Sequence, residues 1–173
     1  TLSFYTRGEM IDDRDNHQYH TIRIGNQIWL AEDLDYAGDI PQGTIGETSS
    51  TEPYRYSTEY CTEYSTKLYN WPAAMNLAGS SNENPSGVQG VCPNGWHLPS
   101  EAEWQELYDT LGGSERDAGS QMVHSWINVE PISESEYTYA SGFNVYYSNW
   151  YSGSYEGNYE NATFWSATAS NRS

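Results

Sequence analysis

Lysine is nearly absent from this chain of 173 residues: Lys67 stands alone, and 7 basic side chains face 24 acidic ones, a formal charge of −17. Phosphate backbones are gripped by clustered Lys and Arg, so nucleic acid is not an expected partner. Cysteine is limited to Cys61 and Cys92. That is too few for a four-thiolate zinc site, and no histidine stands at finger spacing from them. No apolar run approaches the roughly 20 residues needed to span a bilayer, so no membrane span is expected in this chain. Large hydrophobic side chains are scarce as well: Leu, Ile, Val and Phe total 24. Few aliphatics combined with high net charge is ordinarily the composition of a chain that does not fold.

Aromatic side chains offset that deficit. There are 16 Tyr and 7 Trp, each able to bury a large area, so the expected core is built on aromatics. The length suits one domain over residues 1–173. No repeat at a spacing of about 20–50 residues divides it. The sequence begins without an initiator Met or a signal peptide, and so reads as a mature or trimmed product.

The first ordered unit runs from Tyr19 to Ala31. Ile22 and Ile24 alternate with Thr21 and Arg23, Gly25-Asn26 makes a tight turn, and Gln27 to Ala31 returns, predicting a β-hairpin. Residues 38 to 66 show no sustained period and read as a long loop. A short helix is expected from about Trp71, because Pro72 suits a first helical turn. A further helix begins at Ser100, where Ser100 and Glu103 form a capping box; Trp104, Leu107 and Leu111 supply its apolar stripe and Gly112-Gly113 its end. Another short helix is expected from Ala118 to Trp126. From Tyr137 onward, 7 Tyr and 2 Trp occur among only three charged residues, Glu156, Glu160 and Arg172. This stretch reads as short strands and loops.

For Cys61 and Cys92 the expected state is one disulfide, favoured by a Lys-poor, Ser/Thr/Asn-rich chain of extracellular character. Closing that loop of about 30 residues is worth on the order of 3–4 kcal/mol by chain entropy. A reduced, half-buried pair is the other reading. A nucleophilic role is disfavoured, since neither has a nearby cation in sequence to lower its pKa.

Several blocks, in order, resemble the Fibrobacter succinogenes major paralogous domain family: Asp13 to Tyr36, Leu68 to Met75, Val91 to Leu107, and Gly112-Gly113 through Ala118-Gly119 to Phe164-Trp165-Ser166-Ala167-Thr168. The string Cys92-Pro93-Asn94-Gly95-Trp96-His97-Leu98-Pro99-Ser100, followed by Glu103-Trp104, is the most specific. The resemblance implies an α+β, C-type-lectin-like fold with an N-terminal β-hairpin, two helices and a loop-rich small antiparallel sheet. It also implies an extracellular or bacterial cell-surface location. The family pattern continues past the Phe-Trp-Ser block through about two more strands and a terminal Cys. The chain is therefore expected to lack its last C-terminal strands, and that Cys would be an alternative partner for Cys92.

The acidic turn Asp12, Asp13, Asp15 and Asn16 offers oxygen ligands of the kind Ca²⁺ takes, without the spacing of an EF-hand. A solvated turn is the preferred reading, with Ca²⁺ a weak candidate and no other cofactor expected. Sugar-binding C-type lectins hold calcium through Glu-Pro-Asn and Trp-Asn-Asp elements; Glu130-Pro131-Ile132 and Asn149-Trp150-Tyr151 do not match them. His97 reads as a structural histidine, and His124 lacks positioned partners for a triad. The cysteines do not show the features that formylglycine-generating chemistry requires, so no enzymatic activity is expected.

Six tryptophans, Trp29, Trp71, Trp96, Trp104, Trp126 and Trp165, lie in the family-like blocks and are assigned to the core. Trp150 lies outside them, in a segment of Tyr, Ser, Gly and Asn whose composition matches an antibody paratope. The expected ligand contacts are Tyr146, Tyr147, Trp150, Tyr151, Tyr155 and Tyr159. The expected function is a non-enzymatic binding or adhesion module for a glycan or protein ligand. Alternatives are a subunit of a surface filament or pilus-like homo-oligomer, and the variable product of a diversity-generating retroelement, suggested by the Asn/Tyr/Ser mixture from Asn144 onward.

Overall fold

The computed structural model describes residues 5–44, 48–57, 67–122, 141–143, 150–151, 155–156 and 163–170. Ten elements follow in order: β1 (Thr6–Ile11), β2 (Gln18–Ile24), β3 (Gln27–Leu30), β4 (Arg55–Ser57), β5 (Lys67–Tyr69), α1 (Trp71–Met75), α2 (Glu101–Thr110), α3 (Glu115–Met122), β6 (Trp150–Tyr151) and β7 (Tyr155–Glu156). The protein is α+β, with small antiparallel sheets and, among the described residues, three helices where the resemblance implied two.

The expected hairpin is β2–β3, with Ile24 opposite Gln27 across the turn. Gly25 sits there at φ +59, a conformation that costs glycine nothing. A third strand, β1, pairs on the other side of β2 with Thr6 opposite Arg23. Its residues are mostly exposed, so it lacks the alternation by which a half-buried strand is read from sequence. The supposed loop of residues 38 to 66 also holds a strand. β4 pairs with β5, and Tyr56 is buried opposite Leu68. A three-residue strand has too short a pattern to be seen without its partner.

Helix starts follow their sequence signals. Asn70 caps α1 by accepting the Ala73 N–H at 3.1 Å, and Asn76 closes it in the left-handed region. At α2 the capping box is complete: the Ser100 hydroxyl accepts the Glu103 N–H, and the Glu103 carboxylate accepts the Ser100 N–H. The third helix begins earlier than expected, because the Ser114 hydroxyl accepts the Asp117 N–H at its first turn. Residues 123–126 of the predicted helix lie outside the described residues.

Two hydrophobic clusters hold these elements. One joins the sheet to the helices through Ile22, Ile24, Leu107, Leu111, Ala118 and Phe143; the other packs Ala74, Met75, Val88, Leu98 and Ala167. This corrects the expectation of an aromatic core with tryptophans inside it. Tyr19, Tyr56 and Phe143 are buried, but Trp29, Trp71, Trp96 and Trp104 are only half-buried and Trp165 is 45% exposed; Trp126 lies outside the described residues. An indole is too large for so few aliphatic neighbours to enclose, so it packs at the margin of a cluster.

The loop before Cys92 is fitted tightly to α1. Gly90 has φ +56, and a Cβ there would lie 2.2 Å from the Ala74 carbonyl oxygen, which already accepts the Val91 N–H at 2.9 Å. Gly90→Ala is expected to destabilise the protein by about 2–4 kcal/mol, combining backbone strain with overpacking. Thermal or denaturant unfolding measures this.

Candidate functional site: an aromatic cleft

The acidic turn is spoken for by protein groups. The Asp12 side chain is fully buried and accepts from Arg14 at 2.6 and 2.8 Å, while Arg14 also donates to the Val91 carbonyl and lies 3.7 Å over the Tyr36 ring. This side-chain hydrogen bond, outweighing burial, holds the Asp12 carboxyl below its ordinary value. Asp13 accepts from Asn94, and Asp15 from the His17 N–H. The preferred picture of a solvated turn is thus corrected at Asp12, whose ion pair locks the start of β2 to the loop at Val91. A cation could use Asp12 only by displacing a guanidinium.

Cys61, Tyr146, Tyr147 and Tyr159 lie outside the described residues. Cys92 carries a free thiol, half-buried against the second cluster. Burial pushes that thiol up to about 12, so it is a poor nucleophile at neutral pH. Trp150, Tyr151 and Tyr155 fall in the β6–β7 hairpin, where Tyr151 stands opposite Tyr155. The hairpin brings three of the six expected contacts together along one short ladder.

Sequence reasoning missed another aromatic assembly. Phe164 and Trp165 are 41% and 45% exposed. Their segment is anchored to the start of α2: the Ala167 N–H donates to the Pro99 carbonyl, and the Glu101 N–H donates to the Thr168 hydroxyl. From there Trp165 meets Trp71 edge-on, with centroids 5.5 Å apart, and Phe164 meets Trp104 at 5.4 Å. Trp104 in turn stacks against Trp29 at 4.7 Å. These rings line one open cleft of about 1830 Å³. That exceeds the ~300–1,000 Å³ of small-molecule pockets and suits a segment of a larger ligand. The missed signal was Phe164-Trp165 in a stretch without strand or helix period, where neighbouring aromatics have no regular face to bury.

Polar groups around the cleft are mostly turned inward. The Trp165 indole donates to the Tyr69 carbonyl at 2.7 Å, Trp104 to the Trp165 carbonyl at 3.3 Å, and Trp29 to the Gln27 side chain at 3.2 Å. Asn70 uses both ends of its amide on backbone groups. Lys67 pairs with Asp35. His97 meets Glu103 at 2.7 Å, the structural role expected of it. Burial works to raise the Glu103 carboxyl, but donors from Ser100, His97 and Ser86 hold it below its ordinary value. Asp33, which also lines the cleft, differs: burial, reinforced by the neighbouring Glu32 charge, pushes its carboxyl up to about 6.

Among the described residues no helix is long and apolar enough to cross a membrane. Also among them, no group of three or more His, Cys, Asp or Glu side chains is placed to hold a metal ion. Compared with known proteins, the chain matches no curated sequence and no solved structure. Residues 22–173 do match a family, the one the sequence blocks resembled. This α+β chain therefore belongs to the Fibrobacter succinogenes major domain family.

Proposed function

We propose that the chain is a non-enzymatic binding module, extracellular or displayed at a bacterial surface, whose aromatic cleft takes a glycan or protein ligand. The carrying observation is the exposure of Phe164 and Trp165 at an open cleft continued by Trp71, Trp104 and Trp29. Contiguous exposed aromatic surface is costly in water unless a partner covers it. Here the indole N–H of Trp165 is tied to Tyr69, so the ring is fixed before any ligand arrives and little ordering entropy remains to oppose binding. The β6–β7 hairpin, with Trp150 and Tyr151, extends the set of candidate contacts.

A C-type-lectin-like arrangement is the fold reading supported by the order of hairpin, helices and late short strands. In this reading binding through the cleft does not draw on the acidic turn, whose carboxylates are engaged by protein groups. Glycan and protein arrays, probed with and without a calcium chelator, test the proposal. Captured ligand that survives chelation and is lost with Trp165→Ala is the expected result; failure to retain any ligand on either array counts against it.

A second reading, a subunit of a surface filament, is favoured by β1. Among the described residues this strand pairs on one side only, and it carries Ile11 at 63% exposure, an edge open to strand addition. Size-exclusion chromatography across a dilution series decides: a concentration-independent monomer opposes assembly.

A further inference from the structure

The unusual member of the cleft is Asp33. Among the described residues its carboxylate has no hydrogen-bonding or ion-pair partner, yet it is half-buried, and no buried side-chain oxygen there lacks a partner. Its oxygens therefore reach solvent, at a residue that lines the cleft. The chain path places it between the two ring groups. Trp29 lies four residues before it on β3. Immediately after it, the Leu34 and Tyr36 carbonyls accept from the Tyr69 hydroxyl, and the Tyr69 carbonyl accepts from the Trp165 indole.

Several of the cleft's other polar groups are committed to the protein. The amides of Gln27, Asn70 and Asn84 and the indoles of Trp29, Trp104 and Trp165 donate to protein acceptors. Lys67 and His97 are paired with Asp35 and Glu103. The Trp71 and Trp96 indoles and the side chains of Asn26, Thr48 and Ser50 also line it, and beside them stand the Asp33 carboxylate and the faces of the aromatic rings, in a chain of charge −17. An ammonium or guanidinium group only donates, is attracted to ring faces, and neutralises a carboxylate that low polarity penalises.

We propose that the cleft recognises a protein ligand through a basic side chain, Lys or Arg, with the Asp33 carboxylate as its counter-ion and the exposed aromatic rings around Trp165 as its walls. This deepens the binding-module reading and rests on it. The charge complementarity is local, and it also matches the sign of the whole chain, which speeds encounter with a basic partner.

The test uses the intact chain and two uncharged-versus-cationic probes, hexalysine and a neutral hexasaccharide of glucose, titrated while the indole N–H resonances are followed by NMR. Hexalysine is expected to shift the Trp165 and Trp104 indoles. Asp33→Asn, which swaps shape for shape and leaves no pair broken, is expected to weaken that binding about tenfold, and Trp165→Ala comparably. Glu9→Gln, which removes an exposed charge on β1 that does not line the cleft, is expected to leave it within about twofold, as screening of an exposed charge predicts. Equal losses from Asp33→Asn and Glu9→Gln would show only general charge attraction and overturn the proposal. Unchanged affinity in Asp33→Asn does the same. If the hexasaccharide shifts the indoles and hexalysine does not, the basic-ligand inference fails while the binding module stands. If neither probe does, the basic-ligand inference fails, and retention of no ligand on either array is what fails the binding module.

Discussion

Asp12→Ala is expected to lower the unfolding free energy by about 3–5 kcal/mol, because it strands the Arg14 guanidinium without its buried partner. The pair is short and closed, at 2.6 Å between Nη2 and Oδ2, with Asp12 fully buried. Arg14 reaches from it to the Val91 carbonyl and the Tyr36 ring, so the loss spreads from the β1–β2 turn to the loop on α1. Removing both partners should cost less than removing Asp12 alone, since no uncompensated charge is left. The sign with pH follows from the carboxyl being held below its ordinary value of 3.8. The pair's contribution is fully present above that value and is lost as the pH falls through the lower, folded-state value. Acid unfolding of the wild type should therefore be steeper than that of Asp12→Ala, as urea titrations at neutral and acidic pH would reveal.

Glu103→Ala is expected to cost about 3–4 kcal/mol, because one carboxylate satisfies several buried groups, each costing about 1–3 kcal/mol if left unpaired. Its oxygens accept the Ser100 and Ser86 N–H groups at 3.0 Å and meet His97 at 2.7 Å. Without it the α2 cap, the loop at Ser86 and the His97 ring lose their common anchor. Glu103→Gln keeps one acceptor oxygen and should lose roughly half as much. Here too the carboxyl is held below its ordinary value, so its stabilisation is present at neutral pH and fades as the pH falls through the folded value. Denaturant midpoints for the two variants, compared at pH 7 and in mild acid, check both statements.

How much of this was legible beforehand depends on the range of the interaction concerned. Ser100 with Glu103, Pro72 in the first turn of α1, and Gly25-Asn26 between alternating residues all act within a few positions, and each appears where its pattern placed it. β4 and β1 are strands only because a partner elsewhere pairs with them, and their own residues carry little pattern. The family was legible because its blocks are strings such as Cys92 to Ser100. The cleft was not. Assigning Trp165 to the core followed from scarce aliphatics, but the same scarcity leaves nothing to enclose it. Asp33 was one acid among 24, and only the positions of its neighbours reveal that it has no partner among the described residues. Trp150, Tyr151 and Tyr155 were grouped by composition, and the β6–β7 ladder accounts for their proximity.

Phe164 and Trp165 are proposed to be displayed for a ligand, with folding a lesser use. The most direct test is the double variant Phe164→Ala/Trp165→Ala, measured for both affinity toward an array-selected ligand and unfolding free energy. The expected result is an affinity loss of about a hundredfold or more, with a stability loss of only about 1–2 kcal/mol for rings that are already half in water. Unchanged affinity alongside a stability loss of about 4 kcal/mol or more, the range of a buried aromatic truncation, would contradict it and return both residues to the core.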